Sequence, residues 1–147
     1  MPGSSRDEQP NLGILLRIPF QEVVRRVSAG LAAAGFDDLR PAHTAVFQHI
    51  DADGSRLTDL AERAQITKQS MGYLVDYLEQ HGYLERGPDP SDRRASLIFL
   101  TDRGWAQVQA ALASIADLEN EWTHILGKQQ MQQLRRLLTE LAQTTSP

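Results

Sequence analysis

Two adjacent arginines, Arg93 and Arg94, close a proline-braced stretch, GPDPSDRRAS over residues 87–96, in a chain of 147 residues with a net charge of −4. An exposed guanidinium pair calls for an anionic partner. Short apolar runs, YLER and SLIFL, flank the stretch and read as strands, so the arginines fall at the tip of a β-hairpin. Pro88 and Pro90 stiffen that tip, so less entropy is lost if it enters a groove. The narrow minor groove of A·T-rich DNA is strongly negative and attracts inserted arginine. Asp92 is close enough in sequence to pair with one arginine and fix its aim. The alternative is a solvated turn in which Asp89, Asp92, Arg93 and Arg94 pair among themselves, which adds little stability.

A second set of polar side chains lies just upstream. Thr67 is placed to cap a helix, KQSMGYLVDYLEQH, whose apolar face is Met71, Leu74, Val75 and Leu78. Its other face carries Lys68, Gln69, Ser70, Gly72, Tyr73, Asp76, Tyr77 and Gln80. Gln makes a bidentate contact to adenine, Lys reaches guanine or phosphate, and Ser bonds to either. Backbone amides at the helix start favour a phosphate. Gly72 costs about 1 kcal/mol against alanine in a helix. It either lowers the outer surface for close approach to a base or makes room for a neighbouring helix.

The elements that must hold these groups follow from periodicity. TDLAERA reads as a short helix capped by Thr58 or Asp59, with Asp59 and Glu62 at capping-box spacing. Leu57 is expected to add one residue of strand pairing. Helix, tight turn, helix and hairpin together make a winged helix-turn-helix, whose second helix enters the major groove. Before it, Leu12 to Leu31 form an apolar stripe interrupted by Pro19, which predicts a kink or two helices. Pro41 opens another short helix. After the hairpin, Thr101 caps a helix of about 25 residues, about 40 Å long, and a last helix carries Met131, Leu134, Leu137, Leu138 and Leu141.

The expected fold is therefore mainly α with a small β-hairpin wing: a winged helix-turn-helix with six or so helices. Residues 1–10 read as a disordered lead and 11–147 as a single unit. Within that unit, 36–104 form the winged region, and 11–35 with 105–145 form dimerisation helices. The outer helices are too apolar for one chain of this size to cover, so an interlocked homodimer is expected.

Composition excludes several function classes. The chain has no cysteine, which removes disulfides, thiolate metal sites and thiol redox sensing. No apolar run reaches membrane-spanning length, and the N-terminus lacks a signal-peptide pattern, so a cytoplasmic protein with no membrane partner is expected. His43, His49, His81 and His124 share no metal-ligand spacing. With no nucleophile elbow and no phosphate-binding glycine loop, neither an enzyme nor a cofactor is expected. Residues 55–104 hold seven basic and eight acidic side chains. A nucleic-acid footprint here must rest on placement rather than bulk charge, with few phosphate contacts and a small salt slope.

The stretch LAERAQITKQSMGYLVDYLEQHGYLERGPDPSDRRASLIFLTDRG resembles the DNA-binding core of the MarR family of bacterial regulators (multiple antibiotic resistance regulators). The telling parts are LVDYLEQHGYLER, DPSDRRA and LTDRG, and the resemblance in element order extends over residues 11–143. It implies a triangular, all-helical homodimer with two winged domains on double-stranded DNA, at a pseudo-palindromic operator. It also implies repression relieved by a small, often aromatic or anionic, effector. By position, Thr67, Lys68, Gln69, Ser70 and Tyr73 match the base-facing turn, Arg94 the wing arginine, and Asp92 the acid that holds it. Arg93 is a secondary phosphate contact. Phe20, His43, Phe47 and Trp122 are the effector-lining candidates, with ordinary core packing as the competing explanation.

The chain departs from the family pattern in three places. Gln65 occupies a turn position where glycine is frequent, Tyr73 one where a basic residue is frequent, and Arg40 one where Ser or Thr often caps. The resulting expectation is a dimeric, ligand-responsive transcription factor. The alternative is a winged-helix dimer that binds protein and not DNA.

Overall fold

The computed structural model describes residues 9–145, so most of the expected disordered lead lies outside the described residues. In chain order the elements are α1 (Leu12–Ala33), a 3-10 turn (Pro41–His43), α2 (Thr44–His49), α3 (Leu57–Ala64), α4 (Lys68–Gln80), β1 (Leu84–Asp89), β2 (Asp92–Leu100), α5 (Asp102–Leu126) and α6 (Lys128–Thr145). Among the described residues the fold is mainly helical, with six α-helices and one two-stranded antiparallel hairpin. It divides into two compact units. One spans residues 28–112; the other combines residues up to 27 with those from 113 onward.

The central unit is built on the apolar face of α4. Met71, Val75 and Leu78 recur at helical spacing and are fully buried. Val46, Leu60, Ala61, Tyr83, Leu84 and Ile98 close the core around them. Full burial of such a side chain stabilises by about 1.5–3 kcal/mol.

The turn between α3 and α4 is tight because Gln65 takes a left-handed conformation (φ 56°, ψ 40°), and the Ile66 N–H donates back to the Ala61 carbonyl at 3.1 Å. A non-glycine residue there carries about 1–2 kcal/mol of strain, as the sequence departure anticipates. Thr67 Oγ1 then accepts the Ser70 N–H at 3.1 Å and starts α4. Gly82, at φ 79°, ends it. Thr101 caps α5, accepting from the Gly104 N–H at 3.1 Å and donating to the Gly82 carbonyl at 2.6 Å. Gly104 is a packing requirement: a Cβ there would stand 2.3 Å from the Tyr83 carbonyl oxygen.

Three local expectations need correction. The minor third strand falls on Ser55, whose N–H and carbonyl both bond to Ile98 (3.0 and 2.8 Å), and not on Leu57. Leu57 is already the first residue of α3. The N-cap position of α3 is accordingly Arg56, with no side-chain cap, rather than Thr58 or Asp59. With the bridge at Ser55, α3 must begin at once if Leu60 and Ala61 are to reach the core. Asp59 sits in the first turn, where a carboxylate still complements the exposed amides. Finally, of the two outcomes expected at Pro19, two separate helices do not form: α1 is one helix across it, lacking the N–H that would reach the Leu15 carbonyl.

The second unit is different in kind. Arg26 donates to both carboxylate oxygens of Glu121 and, with Arg25, to Glu22. Arg135 pairs with Glu119 at 3.0 Å. These ion pairs join helices whose apolar residues are largely uncovered. Leu12 is 74% exposed and Ile125 77%, and no described residue of α6 is buried.

Candidate nucleic-acid interface

The face of α4 opposite the core presents Lys68, Gln69, Ser70 and Tyr73 to solvent. Thr67 serves the backbone: its Oγ1 accepts the Ser70 amide while its hydroxyl donates to Ser70 Oγ at 2.9 Å. The Ser70 hydroxyl hydrogen is left to donate outward. Gln69 Nε2 donates to the Tyr73 hydroxyl at 3.2 Å, one helical turn away.

Tyr77 does not share this face, contrary to the sequence expectation. Its hydroxyl donates to the Asp38 carbonyl at 2.5 Å, and its ring is stacked between His43 (4.5 Å) and His81 (3.9 Å). The 3-10 turn that carries His43 covers this side of α4, something helical periodicity cannot register. Asp76 does face outward but is neutralised by Arg86 at 2.9 Å. Gly72 is open: an added Cβ would meet only Leu57 Cδ2 at 3.9 Å, so no neighbouring helix demands glycine.

The hairpin pairs from Leu84 opposite Leu100 to Pro88 opposite Ser96, and then Asp89 opposite Asp92. One step on β1 therefore faces four on β2, and Arg93, Arg94 and Ala95 bulge out between the last two pairs. Both strands reach farther toward the tip than YLER and SLIFL suggest. Asp92 acts on the backbone, its Oδ1 accepting the Arg94 N–H at 2.9 Å. It orients the chain at Arg94 and does not grip either guanidinium.

The wing is anchored by a pair that sequence spacing does not reveal, 33 residues apart. Arg56 donates to Asp89 Oδ2 through Nε at 2.8 Å and lies 2.6 Å from it through Nη2. Asp89 is only 6% exposed, and its Oδ1 accepts both the hydroxyl (2.7 Å) and the N–H (2.9 Å) of Ser91. The Ser91 bonds first, and then the Arg56 guanidinium, hold the Asp89 carboxyl below the usual carboxylate range. The base of the wing is tied to α4 by Arg86 and Asp76.

Internal pairing separates the structural cations from the free ones. Of the seven cations in residues 55–104, Arg56, Arg63, Arg86 and Arg103 pair with Asp89, Asp51, Asp76 and Asp38. Among the described residues, the charged groups of Lys68, Arg93 and Arg94 make no ion pair or hydrogen bond. The three cations left over are those at the start of α4 and in the wing bulge.

Residues 37–95 match the profile of the MarR family. Over 134 residues, 90% of this chain and 84% of the relative, the sequence is 24% identical to the HTH-type transcriptional repressor MdtR of Bacillus subtilis (strain 168). The structure resembles that of the transcriptional repressor CouR bound to a 23-mer DNA duplex, with a TM-score of 0.70 and 29% identity over 90% of this chain and 92% of that one. The winged region of the chain is thus similar to the MarR family of regulators. The reduced form of MarR from Escherichia coli shares the fold, with a TM-score of 0.73 and 23% identity over 92% of this chain and 98% of that one. These relatives are named as regulators of transcription.

The four effector candidates occupy different settings. In the central unit, His43 is buried and its Nδ1 accepts the Arg40 N–H at 2.9 Å; Phe47 packs edge-on to Tyr83 at 6.1 Å. Burial first, and then the neighbouring Arg40 guanidinium, lower the His43 pKa from its ordinary value of 6.5. In the other unit, Phe20 is 64% exposed on α1, and Trp122 lines a groove of about 300 Å³ with Met131, Leu134 and Leu138. Sequence reasoning also missed the Asp38–Tyr83–Arg103 cluster, in which Tyr83 donates to Asp38 and Arg103 lies 4.5 Å above the Tyr83 ring. Burial, and then the Asp38 carboxylate, push the Tyr83 hydroxyl up to about 12.

Among the described residues, no group of three or more His, Cys, Asp or Glu could hold a metal ion. No described helix is long and apolar enough to cross a membrane.

Proposed function

We propose that this chain is a homodimeric, sequence-specific DNA-binding regulator of transcription, acting as a repressor that a small effector releases. Residues 36–104 are the DNA-binding region, and 11–35 with 105–145 are the dimerisation helices. The observation that carries this reading is the selective pairing of charge: internal carboxylates neutralise the structural arginines and leave Lys68, Arg93 and Arg94 for phosphate or groove. Gln69, Ser70 and Tyr73 face the bases, Thr67 shapes the helix start, and Asp92 sets the Arg94 backbone.

Dimerisation fits the uncovered apolar faces of α1, α5 and α6, which a two-fold partner would bury. MdtR is named a repressor, and the CouR structure holds a DNA duplex, which supports the same role here. A small aromatic or anionic effector, with Phe20, His43, Phe47 and Trp122 as lining residues, completes the reading. A cytoplasmic location follows from the role. The protein-binding alternative draws on the acidic balance of the winged region; the DNA-binding reading answers it by placement, since the three unpaired cations stand at the start of α4 and in the wing bulge.

The test is a mobility shift at low salt on the duplex upstream of the chain's own gene. Wild type should shift it, and Arg94→Ala should weaken binding by about tenfold or more. No wild-type shift, or an unchanged one for Arg94→Ala, favours the protein-binding alternative.

A further inference from the structure

Tyr73 is 67% exposed on the outer face of α4, yet its hydroxyl is engaged by Gln69. A glutamine amide carries two N–H donors and one carbonyl acceptor. Here one donor is spent on Tyr73. The amide keeps one N–H and Oε1, and its long side chain is held across one helical turn instead of sampling many rotamers. A donor beside an acceptor has one complementary partner in the major groove. Adenine offers the N7 acceptor next to the N6 amino donor; guanine offers two acceptors, cytosine a donor and thymine an acceptor.

We infer that Gln69 and Tyr73 form one base-reading unit that selects adenine in each half-site, Gln69 making the bidentate contact and Tyr73 positioning it. The inference rests on the DNA-binding reading and adds the base to it. The Tyr73 hydroxyl, as acceptor from Gln69, keeps its own hydrogen to donate to a phosphate oxygen. Tyr73 thus acts through Gln69: its removal should cost selectivity more than affinity.

The experiment selects binding sites from a random-sequence duplex pool with the purified full chain, its Gln69→Ala variant and its Tyr73→Phe variant. The position read by Gln69 is the one whose preference collapses in Gln69→Ala. At that position wild type should favour adenine over guanine by about tenfold. Tyr73→Phe keeps the exposed ring, so folding is unaffected. It should bind the same site with affinity within about threefold and lose most of the adenine preference. Replacing that adenine by 7-deazaadenine, which lacks the N7 acceptor, should weaken wild type about as much as guanine does.

Preference for guanine or thymine there would overturn the inference, since it means the amide is reversed with Oε1 toward Tyr73. An adenine preference that survives intact in Tyr73→Phe would overturn the positioning role. If wild type enriches no sequence and shifts no duplex at low salt, DNA binding itself fails, and the base assignment with it.

Discussion

The two compact units solve the burial problem in opposite ways. The central unit buries a cluster of large apolar side chains around α4 and pairs its structural arginines internally, through Arg56–Asp89, Arg63–Asp51, Arg86–Asp76 and Arg103–Asp38. The terminal unit uses charge to clip helices together and leaves Leu12, Leu16, Phe20, Ile125, Leu137 and Leu141 substantially uncovered. Apolar surface on that scale marks an interaction site. On the proposed reading, the difference separates two jobs that share a single polypeptide: the central unit reads a duplex and the terminal unit joins two copies.

Substitutions can break that contrast from either side. The largest effect is expected for Gly104→Ala. Its Cβ would collide with the Tyr83 carbonyl oxygen at 2.3 Å, and backbone cannot swing aside as a flexible side chain can. A loss of about 3 kcal/mol or more is expected, read as a large fall in the denaturation midpoint. A small change would show that the junction between β1 and α5 is looser than its geometry implies.

Leu138→Asp probes the other unit. A charge on the uncovered face of α6 should convert a sedimenting dimer into a monomer at micromolar concentration while the circular dichroism of the winged region persists. A variant that stays dimeric would move the interface away from α6.

A pH titration sharpens the internal-pairing side. The His43 pKa is lowered in the fold, so the unfolded chain takes up the proton more readily. Stability contributed by neutral His43 is present above its ordinary value of 6.5 and is lost as pH falls through the lowered folded value. Protonation would also remove Nδ1 as acceptor for the Arg40 N–H. Thermal melts should show wild type weakening on acidification over this range, and His43→Asn should flatten that segment of the curve. Parallel curves for the two proteins would assign the acid sensitivity elsewhere.

The smallest effect is a gain. Gly72→Ala meets only Leu57 at 3.9 Å and should stabilise the chain by up to about 1 kcal/mol. If the same change weakens DNA binding, glycine is there for the duplex; if binding is unchanged, it is not.

Much of this layout is written in local chemistry. Thr67, Gly82 and Thr101 act as helix punctuation because their roles depend on a few neighbouring residues, whereas the left-handed turn at Gln65 is implied by the family resemblance, in which glycine is frequent at that position. What escaped the sequence depends on distant partners. Tyr77 has the spacing of an exposed residue and is turned inward by His43, 34 positions earlier. Arg56 and Asp89 each look like ordinary surface charges until the fold brings them to 2.6 Å. Asp92 was placed correctly but acts on the Arg94 N–H, since a carboxylate two residues upstream reaches backbone more easily than a guanidinium that extends away.

The most direct measurement is the salt dependence of operator affinity for wild type, Lys68→Ala, Arg93→Ala and Arg94→Ala, with Arg86→Ala as the internally paired control. Each phosphate contact adds about 0.9 to the slope of log affinity against log salt. In a two-fold dimer, removing one phosphate-contacting cation should therefore lower the slope by about 2, whereas Arg86→Ala should leave it nearly unchanged. Equal slopes for all five proteins, or a larger drop for Arg86→Ala than for the three unpaired cations, would contradict the division of charge on which the reading depends.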